Sequence, residues 1–413
     1  MRILHITPAF QHPRVRGPHR HYHFLRELSQ RHAITLLTLA RSDIPAEALQ
    51  EMASYTERLL TFSVSGASSG HARGRVRSLP FIGGRLEQSL RLREGVRQMK
   101  AAFTRLVREE AYDVVLFHGK SVFPVIEDWD DLPIVIDFCD ATSMRIRAEM
   151  RYAGLAAVPL KGLRYAQVRR LEKRLVGKTP HIAFISPRDR EAVLGSADRS
   201  AILPNGVDLQ YWTRKSHNPR PNCLIFSGVM DYAPNEDAAV YLIDRILPLL
   251  RPSVSNLEVF IVGRDPSAAL LDKARRYPDV TVTGFVDDMR PYLERAAVCA
   301  APLRYASGMQ NKVLEAMAMQ VPVVTTSIVA SGLCVDGAQP PVHVADGARE
   351  FAERIVNLLA RETERSRLAA DGRRFIERHF IWSRSAEKLE KMCLDAVQIN
   401  GQRQQGSKAV LTA

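Results

Sequence analysis

Short, nearly unbroken apolar runs rich in β-branched residues recur along this chain, and stretches with helical spacing lie between them. A strand that reads as a continuous apolar run is buried on both faces, which a parallel sheet covered by helices requires. In the first half the runs are RILHIT, AITLLTLA, DVVLFH, IVIDF, HIAFIS and AILP; in the second they are CLIFSG, LEVFIVG, VTVTG, VCAAPL and VPVVTT. Spacing predicts helices over 20–30, 86–108, 160–176 and 187–194, the last with Ser186 as its N-cap. Further helices are predicted over 237–250, 267–276, 289–296, 310–319, 347–360 and 363–378. This alternation implies α/β layers, and the strands suffice for two open sheets.

At 413 residues the chain exceeds one ordinary core. The polar, proline-containing stretch 205–222 separates two strand-rich halves, giving expected domains over 1–205 and 206–382. The tail 399–413 is polar and expected to be disordered, and the Gly/Ser/Arg-rich stretch 65–77 reads as a mobile basic loop.

Nothing approaches the ~18 consecutive apolar residues that span a bilayer, and MRILHITPAF lacks the features of a signal peptide. A cytoplasmic protein is therefore expected. The five cysteines are scattered without CxxC pairing, and most sit in apolar runs, as buried hydrophobes do. A net charge of +13 implies acidic partners: ligand phosphates, anionic lipid or nucleic acid. No basic stripe with stacking aromatics or reader motif supports nucleic acid, which is not expected as a partner.

Open parallel sheets bind ligands beyond the carboxyl ends of their strands, where helix N-termini present free N–H groups. Gly228, Gly263 and Gly284 each end a strand, and the first admits close approach of backbone to ligand. The most informative stretch is APLRYASGMQNKVLEAMAMQVPVVTT. A helix starting near Gly308 offers the N–H groups of Gly308, Met309 and Gln310 to a diphosphate, with Lys312 adding charge. Glu315, at i+3 from Lys312, is suited to the two hydroxyls of a ribose. The plainer alternative is a surface ion pair between the two, worth ~0.2–0.5 kcal/mol; the loop before them favours the ligand.

His118 follows the strand DVVLF, at the mouth of the first sheet. Asp137 and Asp140 follow the fourth strand, as helix caps or as acceptor ligands. The histidines of HPRVRGPHRHYH fit no standard zinc spacing, and no metal is expected.

Together, LPNGVD at the domain junction, TGFVDDMRPYL and KVLEAMAMQVPVVTT resemble family 4 of the GT-B glycosyltransferases, the large retaining group. GVMDYAPNEDAAVYL followed by GMQNKVLEAMAMQVPVV is similar to the sugar transferases of exosortase (PEP-CTERM) exopolysaccharide loci. The resemblance is tightest over 202–382. It implies two facing Rossmann-like, doubly wound parallel-sheet domains with a cleft between them. It also implies a helix over 383–398 that crosses back to the first domain. It further implies a nucleotide-sugar donor in the second domain, a saccharide or polyprenyl-diphosphate-linked acceptor in the first, no cofactor, and transfer with retention at the anomeric carbon.

The resemblance maps the family's catalytic histidine onto His118 and its ribose-binding glutamate onto Glu315, and Lys312 is read from its place in the loop as the third catalytic residue. The expected donor set is Gly228, Asn235, Gly263, Phe285, Val286, Arg304, Ser307, Gly308, Met309, Gln310 and Glu315. The acceptor set is Gly17, Arg20, Asp137 and Asp140. Two departures stand out. The first of the family's two glutamates falls at Ser307, and Val229 and Pro234 stand near the usual Arg and Lys. Lys312, Arg304 and backbone N–H groups are expected to supply those contacts.

Basic residues crowd the first half, from Arg73, Arg75 and Arg77 through Arg91, Arg93, Arg97, Lys100, Arg105 and Arg108 to Arg164, Arg169, Arg170, Lys173 and Arg174. Phe81, Leu90, Leu92, Phe103 and Leu106 interleave with them. This reads either as a solvated face or as a surface for anionic lipid, peripheral on the inner membrane. Two other readings share the layout: a sugar-nucleotide epimerase, which needs no acceptor, and a catalytically silent donor-binding scaffold.

Overall fold

The computed structural model describes residues 1–15, 19–64, 80–195, 198, 200–215 and 219–411, with side chains of 80–88 and 403–411 excepted. The basic loop expected over 65–77, and with it Arg73, Arg75 and Arg77, lies outside the described residues, as does Gly17.

Seven strands build the first sheet: β1 (Arg2–Thr7), β2 (Ala33–Ala40), β3 (Arg58–Ser63), β4 (Val114–His118), β5 (Ile134–Cys139), β6 (Ile182–Phe184) and β7 (Ala201–Ile202). Their order is β3-β2-β1-β4-β5-β6-β7, and β3 through β5 pair in parallel. Six strands build the second: β8 (Cys223–Ser227), β9 (Glu258–Val262), β10 (Val280–Gly284), β11 (Val298–Ala301), β12 (Val323–Thr325) and β13 (His343–Val344). These run in parallel in the order β10-β9-β8-β11-β12-β13. The central strands are the continuous apolar runs of the sequence, and Ile3, Leu4, Ile6, Val114 to Phe117, and Leu224 to Phe226 have no exposed surface.

In each sheet the winding reverses once, between β1 and β4 and between β8 and β11. At such a point adjacent crossovers leave in opposite directions and open a crevice beyond the strand ends. His118 closes β4, and Gly228 follows β8. The topology thus sets both expected site regions at switch points.

Contacts divide the chain into two compact units. One comprises Met1–Cys139, Arg169–Ala183 and Ser385–Ala413; the other comprises Asp140–Val168 and Phe184–Arg384. The segment after Cys139 therefore packs with the second half of the chain, although the sequence puts it in the first. The last helix spans Trp382–Leu411, so helical backbone continues through most of the tail expected to be disordered. In the first unit Glu390 of that helix takes Arg31 and His32, both at 2.7 Å.

Two strands escaped the sequence reading, and both are edges. β3 is half solvated along its length, so it lacks a continuous apolar run. β13 has only two residues.

Candidate functional site

The first unit's site is built around His118. Its Nδ1–H donates to the backbone oxygen of Asp137 on the neighbouring strand at 2.9 Å. That bond fixes the tautomer and leaves Nε2 as an acceptor, which makes no hydrogen bond among the described residues. Burial lowers the imidazole's pKa, against the attraction of Asp137. The ring is neutral at pH 7. The ring of His21 packs against it, centroids 4.0 Å apart.

Arg20 and Asp137, both expected to hold an acceptor, are buried against each other. Nε and Nη2 of Arg20 donate to the two carboxylate oxygens at 2.7 and 3.1 Å, and Asp137 has no exposed surface. Low-dielectric surroundings make either charge costly alone, so each serves chiefly to neutralise the other. The ligand atoms of His21, His118 and Asp137 lie within 4.8 Å of one another, as a metal site's would. A divalent ion there would meet the Arg20 guanidinium already bound to both carboxylate oxygens. The donor set fits a metal poorly.

In the second unit, the switch point is lined by Gly228, Gly263, Asn235 and Lys312. The Gly228 N–H donates to the Val262 oxygen at 3.0 Å. A Cβ on Gly263 (φ +148°) would stand 1.8 Å from the Gly228 oxygen, so only glycine fits. The Asn235 side chain donates to the Val229 oxygen at 2.8 Å and accepts from Lys312 Nζ. That ammonium also lies 5.0 Å from the centre of the Phe226 ring.

Lys312 and Glu315 do not form the ion pair that sequence spacing allowed. Lys312 turns to Asn235, and the Glu315 carboxyl makes no hydrogen bond or ion pair among the described residues. Burial takes the lysine down to about 7, despite its neighbours' negative charge. Burial also pushes Glu315 up to about 7, despite Lys312. A half-buried carboxyl without a hydrogen bond or ion pair among the described residues, one helical turn from a half-buried lysine, is poised for a ligand that carries both anionic and hydroxyl groups.

The loop before them is more tightly held than its sequence indicates. The helix is Asn311–Ala318, with Gln310 as N-cap, one residue inside each end of the predicted 310–319 and three residues after Gly308. The Gly308 N–H is already donated, to Asp189 Oδ1 at 3.1 Å. Ser307 Oγ donates to Asp140 Oδ2 at 2.8 Å, so Asp140, expected to bind acceptor, braces the expected donor loop. Gln310 Nε2 reaches the Ser307 oxygen at 3.2 Å, and Met309 and Gln310 are buried. Arg304, expected at the diphosphate, is held by Asp237 at 2.9 Å through Nε. Phe285, beyond β10, is 63% exposed, and Val286 is partly covered.

Three residues went unnoticed in the sequence. Asp189 also accepts from the Ala141 N–H at 2.8 Å and from Ser186. Arg188 donates to the oxygens of Ala306 and Gly308 at 3.3 and 3.4 Å and to that of Ile328. Their signal was the helix start SPRD, where Ser186 does cap Asp189 as expected. An Arg–Asp pair in a first turn reads as solvent-facing. The third is Tyr211, in the presumed linker, with the Arg290 guanidinium 4.1 Å from its ring centre. Burial raises its phenol, helped by Asp288 and Glu315.

With this geometry in hand, residues 221–361 match the family model described as Glycosyl transferases group 1. The matched stretch lies wholly within the second unit. No curated protein matches the chain. Among solved structures, HepE from Anabaena, in complex with UDP and glucose, is 12% identical with a TM-score of 0.63 over 96% of this chain and 100% of that one. Sucrose-phosphate synthase from Thermosynechococcus elongatus is 14% identical, TM-score 0.67, over 95% and 98%. TarM is 10% identical, TM-score 0.65, over 95% and 98%. At such identities the likeness is one of fold: two Rossmann-like parallel-sheet domains, the GT-B architecture. No described helix is long and apolar enough to cross a membrane.

Proposed function

We propose that this protein is a glycosyltransferase that takes a sugar from a nucleotide-sugar donor and passes it, with retention, to a saccharide or lipid-linked acceptor. Exopolysaccharide or other cell-surface glycan synthesis is the setting that the sequence resemblance suggests. The observation that carries the reading is Glu315: a half-buried carboxyl raised to about 7, without hydrogen bond or ion pair among the described residues, beside Lys312 at the switch point of the second sheet.

In this reading Glu315 receives the ribose hydroxyls and Lys312 faces the diphosphate. Breaking the bond between the anomeric carbon and the phosphate oxygen leaves negative charge on the departing diphosphate. A preorganised ammonium in a desolvated site stabilises that charge without reorganising at the moment of reaction. Gly228, whose missing side chain lets a ligand come close, and the N–H groups of Met309 and Gln310 complete the cradle. Phe285 and Val286 lie at the end of the next strand and are assigned to the nucleoside. The departing phosphate itself takes the acceptor proton, so a strong protein base is not required. In the first unit His118, neutral and with Nε2 open, is assigned to orienting an acceptor hydroxyl. The bound UDP of HepE supports a uridine donor as the first to test.

The test is calorimetric titration with UDP-, GDP- and ADP-sugars, followed by product analysis with the preferred donor. Binding of one nucleotide-sugar, lost in Glu315→Ala, and transfer to a saccharide or prenyl-linked acceptor are expected. Absence of binding by any of them overturns the reading. An isomerised donor formed without acceptor would make the protein an epimerase, and binding without any product would make it a scaffold.

A further inference from the structure

Among the described side chains of the helix Pro80–Glu109, residues 89–109, Leu90 is exposed and the larger apolar residues that follow it turn inward. Val96, Met99, Phe103 and Leu106 are buried and form its core face. Lys100 pairs with Asp128 at 2.6 Å and Arg97 with Glu94 at 2.8 Å. A denser exposed apolar patch lies in the second unit. Leu155 is 91% exposed, Leu160 73% and Leu163 58%. Leu160 and Leu163 stand at i and i+3 on one face of the helix Val158–Val176. Leu155 opens the short turn Leu155–Ala157 that leads into it. Isolated exposed leucines are ordinary, but three within nine residues form a patch that calls for a partner.

The charge around them is one-sided. Between Asp140 and Glu172 the sequence has a single acid, Glu149, against seven Arg and Lys residues. Glu149 is neutralised by Lys161 and by Arg145, the latter at 3.5 Å. Arg147, Arg151 and Arg164 are exposed and make no ion pair among the described residues. We propose that this surface docks on an anionic lipid bilayer, with Leu155, Leu160 and Leu163 among the acyl chains and Arg151 and Arg164 at the phosphates. Apolar tips ringed by unpaired arginines suit the boundary between acyl chain and headgroup, and each arginine gains from the anionic surface potential. The segment is tied to the expected donor loop. Tyr152 stacks on Tyr305 at 5.4 Å, with the Arg304 guanidinium 4.5 Å from its ring centre. The inference goes beyond the sugar-transfer reading and does not depend on it.

Flotation of the full chain with vesicles of phosphatidylcholine containing about one third phosphatidylglycerol tests it. The protein is expected to float with these at low salt and not with phosphatidylcholine alone. Leu155→Ser/Leu160→Ser/Leu163→Ser should lower the bound fraction about tenfold, and Arg151→Gln/Arg164→Gln should do the same at low salt and less at high salt. Thermal melting checks that each variant folds; if the leucine variant does not, the arginine pair carries the test. Failure of the wild type to float, or flotation of both folded variants like wild type, overturns the proposal. So does a wild-type dimer that the leucine changes dissociate without any lipid binding, which would make the patch a contact between copies.

Discussion

The Asp189 carboxylate accepts the backbone N–H of Gly308 at 3.1 Å, and through the same oxygen the N–H of Ala141 at 2.8 Å. A helix N-terminus binds anions with N–H groups left unpaired. One group expected in the phosphate cradle is therefore engaged, and its engagement fixes the direction of those that follow. Asp189→Ala would leave two buried N–H groups unsatisfied, at a cost of about 1–3 kcal/mol each. We predict a clear fall in melting temperature together with roughly tenfold weaker nucleotide binding by calorimetry. Unchanged affinity in a folded variant would mean that the loop's order is irrelevant to the donor.

Lys312 and Glu315 give the free protein an unusual pH response. Glu315 titrates near 7 when folded, above its ordinary 4.5, so between these values the folded chain holds a proton that the unfolded chain has lost. Its stabilising contribution therefore falls as pH rises from 4.5 to 7. Lys312 titrates near 7, below its ordinary 10.5. The unfolded chain holds the extra proton between 7 and 10.5, and stability rises with pH across that window. The pair together contributes least near pH 7. Melting curves across pH should show Glu315→Gln flattening the acid side and Lys312→Met the alkaline side. A diphosphate beside Lys312 restores its proton, so nucleotide binding near pH 8 should take up protons, read by calorimetry in buffers of different ionisation enthalpy. No uptake would place the phosphates elsewhere.

The two-sheet fold was legible because its central strands are buried on both faces, which leaves continuous runs such as VVLF and CLIF in the sequence. Edge strand β3 was not, because RLLTFS faces solvent along much of its length. At the site, Lys312, Glu315 and the strand-end glycines were legible from spacing, since one helix turn and one strand end bring them together. Asp140, Asp189 and Arg188 were not. Their roles come from contacts across more than 100 residues of sequence, to Ser307, Gly308 and Ala306. Arg20 and Asp137 misled because charged residues near a strand end look available, and only packing reveals that they neutralise each other.

Gly263→Ala should be among the most damaging small substitutions in the second unit. Its Cβ would stand 1.8 Å from the Gly228 oxygen, and backbone at φ +148° disfavours any side chain. One of the two strand ends must move, and with it the crevice edge facing Lys312. A loss of about 2 kcal/mol or more is expected in denaturant unfolding. Gly347→Ala is the control, since nothing lies within 4 Å of its added carbon. Equal effects from the two changes would contradict the packing argument.

His118 depends on Asp137 twice: its Nδ1–H binds the Asp137 backbone oxygen, and its charge state responds to the Asp137–Arg20 pair. His118→Ala should lower turnover on the order of 10²-fold or more while leaving melting nearly unchanged. Arg20→Met should instead unfold the protein more easily, by about 3–5 kcal/mol, because the buried Asp137 carboxylate loses its counter-charge. Arg20→Met/Asp137→Asn should recover part of that loss, which a double-mutant cycle reads. Burial also takes His21 down to about 3. Between 6.5 and 3 the unfolded chain holds a proton that the folded one refuses, so stability should fall as pH drops through that window. His21→Phe should remove that part of the acid sensitivity. If acid unfolding were the same with and without His21, the neutral, closely packed arrangement of His21 and His118 would be wrong.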